Sequence, residues 1–89
     1  MEMKTFESLF AEIQTKTNST AGESNTKNLL DQGVHAIGKK VVEEAAEVWM
    51  AAEYQSKDDL ALEISQLIYH LQVLMVAKGV SIADLEERF

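Results

Sequence analysis

Phe6, Leu9, Phe10 and Ile13 recur three to four residues apart and form one apolar stripe. That spacing predicts a helix over about residues 6–14, with Thr5 as its N-cap. The next stretch, residues 15–25, is polar and rich in Ser, Thr and Asn, so it predicts a loop. Connections of that length in a small domain are commonly functional or disordered. A second helical region is expected from about Thr26 to Tyr54, broken or kinked at Asp31-Gln32-Gly33. Beyond the break, Val34, Ile37, Val41, Ala45, Val48 and Ala52 share one side, and Lys40, Glu43, Glu44 and Glu47 form a polar side next to it. Ser56-Lys57-Asp58-Asp59 reads as a capping box opening a third long segment, which runs to about Lys78 and stops at Gly79. A second capping box, Ser81-Ile82-Ala83-Asp84, opens a short last helix through about Arg88.

The segment from Asp59 to Lys78 is apolar around most of its circumference, so it has to be buried on more than one side. Glu63, Gln66, His70 and Gln72 interrupt it, which argues against a membrane span. In a chain of 89 residues there is little else to cover it. A domain this short hides only about 60–65% of the surface of its unfolded chain. The expected fold is therefore all-α, a small helical bundle completed by homo-oligomerisation, as a homodimer or higher. No repeat or linker divides residues 1–89, which read as a single domain. The absence of proline and the abundance of Ala, Leu, Glu, Lys and Gln agree with helix throughout.

A net charge of −7 with scattered basic residues excludes general nucleic-acid binding. With no cysteine and no apolar leader after Met1, the expected location is cytoplasmic. An acidic protein still binds a phosphorylated small molecule when a divalent cation lies between the two sets of negative charge.

Such a cation has a natural place. Glu43-Glu44-Ala45-Ala46-Glu47 concentrates three carboxylates on one strip of helix, and Glu63 and Gln66 follow on the next helix. Glu43 and Glu47 lie about 40° apart around the helix axis, and Glu44 and Glu47 about 60° apart. Their mutual repulsion is relieved by a hard, oxygen-seeking ion such as Mg²⁺, which keeps several waters and needs few protein ligands. Zinc fits poorly, since cysteine is absent and His35 and His70 lack ligand spacing. Taken alone, EExxE on a helix is more often a solvated face; polar residues at 63 and 66 on an apolar helix shift that balance. Lys39 and Lys40, about one turn before the strip, are placed to pair with it or to meet a phosphate. Tyr69 and His70 read as core residues with one hydrogen bond each, and Trp49 and Met50 as core or interface.

The block Gly38-Lys39-Lys40-Val41-Val42-Glu43-Glu44-Ala45-Ala46-Glu47-Val48, followed by Glu63-Ile64-Ser65-Gln66-Leu67-Ile68-Tyr69-His70, resembles the phosphoribosyl-ATP pyrophosphatases. These belong to the MazG-type all-α nucleotide pyrophosphohydrolases, whose pattern is EExxE followed by ExxD. The likeness reaches upstream through Ser24-Asn25-Thr26 and Gly33 and downstream to Leu85, nearly the whole chain. It implies hydrolysis of phosphoribosyl-ATP to phosphoribosyl-AMP and pyrophosphate in histidine biosynthesis, with Mg²⁺. By the same resemblance Glu43, Glu44, Glu47 and Glu63 match the metal-binding acids, with Glu44 and Glu47 central to catalysis. Lys40, with Lys39 as a second candidate, matches a basic residue before the acids, and Ser24 and Thr26 match a hydroxyl pair facing substrate. Gln66 stands where the pattern has Asp; its carbonyl can coordinate but carries no charge. Two competing readings keep the same helices. One is a housecleaning nucleoside triphosphate pyrophosphohydrolase, and the other a non-catalytic helical oligomerisation module.

Overall fold

A computed structural model describes residues 3–18 and 24–89, and part of the expected loop, residues 19–23, lies outside them. Helix α1 spans Phe6–Thr15 and runs into a 3₁₀ turn at Lys16–Asn18, so the expected loop begins as helical backbone. Helices α2 (Asn25–Gln32), α3 (Val34–Tyr54), α4 (Lys57–Lys78) and α5 (Ile82–Glu86) complete the chain, with no strand among the described residues.

The helix ends follow local chemistry. Thr5 caps α1 through its hydroxyl, which accepts from the Ser8 amide at 3.1 Å, and Ser8 Oγ accepts from the Thr5 amide in return. Gly33 is the single residue joining α2 to α3, with φ +97° and ψ 177°, a region that only glycine enters readily. Gly79 ends α4 in the left-handed conformation, and Val80 N–H closes back onto Met75 O at 2.9 Å. Ser81 and Asp84 form the reciprocal cap expected of them, but α5 stops at Glu86 rather than Arg88. At Ser56 only half of the expected box forms: its hydroxyl accepts from the Asp59 amide.

Helices α3 and α4 form a long antiparallel hairpin, turned by Gln55 and Ser56. The seam of α3 differs from the apolar side named above. Ile37, Val41, Glu44, Val48 and Ala51 are its buried or half-buried positions, while Val34, Ala45 and Ala52 are exposed. Only Ile37 and Ala51 of that line are fully buried.

Helices α1 and α2 close over one end of the hairpin. The core there is Ile13, Leu29, Ile37 and Val73, with Leu9, Leu30, Tyr69, Leu74 and Val76 packed around it. Gln72, wholly buried, donates from Nε2 to Phe6 O at 3.0 Å and ties α1 to α4. The other end of the hairpin keeps its apolar side chains in solvent: Trp49 is 68% exposed, Tyr54 81% and Leu62 54%. Trp49 and Met50 are thus no part of this chain's own core. By length and composition α4 is apolar enough to cross a membrane. Its C-terminal half instead buries His70, Gln72, Val73 and Met75 within the fold.

Candidate metal centre

Glu44 and Glu47 lie one turn apart on α3 and face Glu63 on α4, just beyond the core. One carboxylate oxygen from each lies within 4.8 Å of the others. Glu44 and Glu63 are half-buried and Glu47 is exposed. Two oxygens of the trio, Glu44 Oε2 and Glu63 Oε2, are buried without a hydrogen-bond partner. Orphaned buried acceptors are uncommon and costly, so the trio is built to receive something positive.

The Glu63 carboxyl is held above the ordinary carboxylate range. Hydrogen bonding to Glu47 contributes most, followed by burial and by the nearby charges of Glu47, Glu44 and Asp59. Asp59, one turn before Glu63, is a further acid near the trio, marked in the sequence only by its place in the Ser56 cap. Glu63's folded value is raised, so the stabilisation it gives is complete at acid pH. That stabilisation is lost as pH rises from the ordinary carboxylate range through the raised value. Glu12 is shifted the other way, chiefly by its hydrogen bond to Lys4, so its contribution is lost only at lower pH. With a chelator present, the melting temperature should therefore fall as pH rises above the ordinary carboxylate range. Glu63→Gln should flatten that slope; an equally steep slope in the variant would remove Glu63 as its cause.

Of the five expected metal-binding positions, the structure brings these three together. Glu43 points elsewhere: its Oε2 pairs with Lys40 Nζ at 3.4 Å. Residues 43 and 44 lie about 100° apart around the axis, so a helix cannot aim both at Glu63. Lys39, Lys40 and Glu43 line a shallow depression with Leu29, Gln32 and Ala36 of the α2–α3 corner. Gln66, one turn after Glu63, is exposed, and its backbone carbonyl accepts from His70 Nδ1 at 2.8 Å. Ser24 and Thr26 lie at the N-terminal end of α2. Ser24 Oγ caps the helix by accepting from the Lys27 amide, and Thr26, buried, pairs with the Tyr69 hydroxyl. Tyr69 and His70 each hold one hydrogen bond and meet edge to face.

Three carboxylates with neither sulfur nor imidazole make a donor set for a hard divalent ion, with room left for water and phosphate oxygens. The two orphaned oxygens agree with that fit.

The profile of the family described as phosphoribosyl-ATP pyrophosphohydrolase matches residues 3–89. The chain is 65% identical over 85 residues to a phosphoribosyl-ATP pyrophosphatase of Streptomyces coelicolor, covering 94% of each. It is 64% identical over 85 residues to that of Streptomyces avermitilis, again covering 94% of each. The chain belongs to the phosphoribosyl-ATP pyrophosphohydrolase family.

Proposed function

We propose that this chain hydrolyses phosphoribosyl-ATP to phosphoribosyl-AMP and pyrophosphate, a step of histidine biosynthesis, with Mg²⁺ held by Glu44, Glu47 and Glu63. The observation that carries the metal reading is the convergence of these three carboxylates from two helices, with two buried oxygens lacking partners. When bound, the ion supplies charge neutralisation on the phosphates and lowers the pKa of a bound water.

The side chains divide the remaining work. Glu44 and Glu63, half-buried where α3 faces α4, are the holders. Glu47 is the exposed member and the one placed to accept a proton from an attacking water. Lys40, held by Glu43 at the mouth of the α2–α3 corner, can exchange that weak surface pair for a phosphate oxygen. Lys39 lines the same depression. The hydroxyls of Ser24 and Thr26 serve the substrate from the N-terminal end of α2. A second copy of the chain, covering the exposed end of the hairpin, completes the bundle.

Pyrophosphate release by the purified protein from phosphoribosyl-ATP tests the reading, with ATP and other nucleoside triphosphates in parallel. Release should be specific to phosphoribosyl-ATP and vanish when divalent ions are removed. Activity surviving complete chelation would end the metal mechanism, and preference for an ordinary triphosphate would end the substrate assignment.

Gln66 gives a sharper test of the donor set. It shares a side of α4 with Glu63, about 60° round the axis, and it is exposed. A charge placed there meets water, so Gln66→Asp should leave the melting temperature nearly unchanged. The added carboxylate should lower the Mg²⁺ concentration for half-maximal activity several-fold. An unchanged magnesium titration would remove position 66 from the site and leave the trio.

A further inference from the structure

Asp59, Glu63 and Gln66 fall on one strip of α4. Asp59 and Gln66 are seven residues apart and stand about 20° from each other around the axis, each within about 60° of Glu63. Asp59 lies about 6 Å from Glu63 toward the start of the helix, and Gln66 about 4.5 Å beyond it. Both are exposed. The strip therefore carries a charge on one flank of the glutamate trio and none on the other.

Thr5, Ser56 and Ser81 each open a helix with a polar side chain three residues later that can close a capping box. Two of those side chains are used in that way: Ser8 Oγ accepts from the Thr5 amide, and Asp84 Oδ2 accepts from the Ser81 amide. Asp59 differs. Its amide donates to Ser56 Oγ at 3.1 Å, but its carboxylate does not return the bond. Among the described residues no lysine or arginine pairs with that carboxylate. Its charge acts instead on Glu63.

A first-turn carboxylate gains a little from the helix amides, and Asp58 supplies that gain as well. Neither the cap nor the dipole calls for Asp59 on the side of the acids, where it adds repulsion to an already crowded trio. The repulsion turns to attraction once a cation lies among the three. A magnesium ion keeps several waters, and their hydrogens need acceptors beyond the direct ligands.

We infer that Asp59 is the outer member of the metal centre, its carboxylate receiving the water carried by a cation that Glu44, Glu47 and Glu63 hold. It supplies on one flank of Glu63 the charge that neutral Gln66 does not supply on the other. Asp59 is thus a positioning residue acting through water. The inference rests on the metal reading given above.

The test is binding of Mn²⁺ to the whole chain without substrate, read from the paramagnetic resonance of the free aqua ion at fixed ionic strength. Asp59→Asn should weaken Mn²⁺ binding about tenfold. Asp58→Asn is the comparison: it removes the same charge from the same turn, but about 140° from Glu63 around the axis. Its affinity should stay within about twofold of wild type, since an exposed charge on that side is screened. In chelator, Asp59→Asn should melt above Asp58→Asn, because it alone relieves Glu63. Both positions are exposed, so both variants should fold, and circular dichroism checks that they do. Unchanged affinity in Asp59→Asn overturns the inference, as does equal weakening in the two variants, which would show a general effect of charge. Equal melting of the two variants in chelator also overturns it. A wild type that binds no Mn²⁺ ends the metal reading together with this inference, whereas a wild type that binds it and an Asp59→Asn variant that binds it equally well end this inference alone.

Discussion

Glu47→Gln is expected to lower kcat/KM for phosphoribosyl-ATP about 100-fold at limiting Mg²⁺ and to raise the melting temperature of the metal-free protein. Both effects have one origin. In the metal-free chain Glu47 bears on Glu63 as a hydrogen-bonding partner and as a like charge, and Glu63 holds its proton above the ordinary range as a result. An amide at position 47 can donate to the Glu63 carboxylate, so the repulsion becomes a hydrogen bond and the fold gains. The same change removes one of the three charges that attract the cation and the group proposed to accept the water's proton. Stability and activity therefore move in opposite directions, as at other sites where function maintains strain. Glu43→Gln is the internal comparison. It lies outside the trio and pairs with Lys40 at the surface, so its loss should be much smaller. Thermal melts in chelator and a Mg²⁺ titration of turnover read the two effects separately. Unchanged turnover in Glu47→Gln at limiting Mg²⁺ would return the acidic strip to an ordinary solvated face.

What was legible in the sequence was whatever is decided within a few residues. The caps at Thr5 and Ser81, the glycine joint at 33 and the left-handed stop at Gly79 all depend on local backbone chemistry, and each lies where the pattern put it. The rotation of α3 was less legible. Its sequence is apolar on two sides, and the side containing Val34, Ala45 and Ala52 faces solvent while the seam runs through Glu44. Nothing local ranks a carboxylate as a seam residue, because its place there depends on Glu63 arriving from another helix. The EExxE motif therefore announced the acids without distinguishing Glu43 from Glu44.

Leu62→Asp is expected to convert an assembly of this chain into helical monomers. In the isolated chain, Leu62 is 54% exposed and stands with Trp49, Met50 and Tyr54 on the end of the hairpin that α1 and α2 do not cover. Large apolar side chains gathered in solvent at one end of a hairpin mark a contact, and a second copy of the same hairpin is the partner proposed above. Inside one chain an aspartate at position 62 stays near water, so its intrachain cost is small. Inside a two-fold interface it appears twice, buried and without a cation, and an unpaired buried charge costs several kcal/mol. The assembly should fail before the helices do. A thin core means the released monomer should melt well below the wild type, while its helical signal persists at low temperature. Sedimentation at micromolar concentration gives the answer. The wild type should sediment as a dimer or larger and the variant as a monomer. A wild type that sediments as a monomer would show that the exposed end of the hairpin faces water, and the bundle would then be complete in one chain.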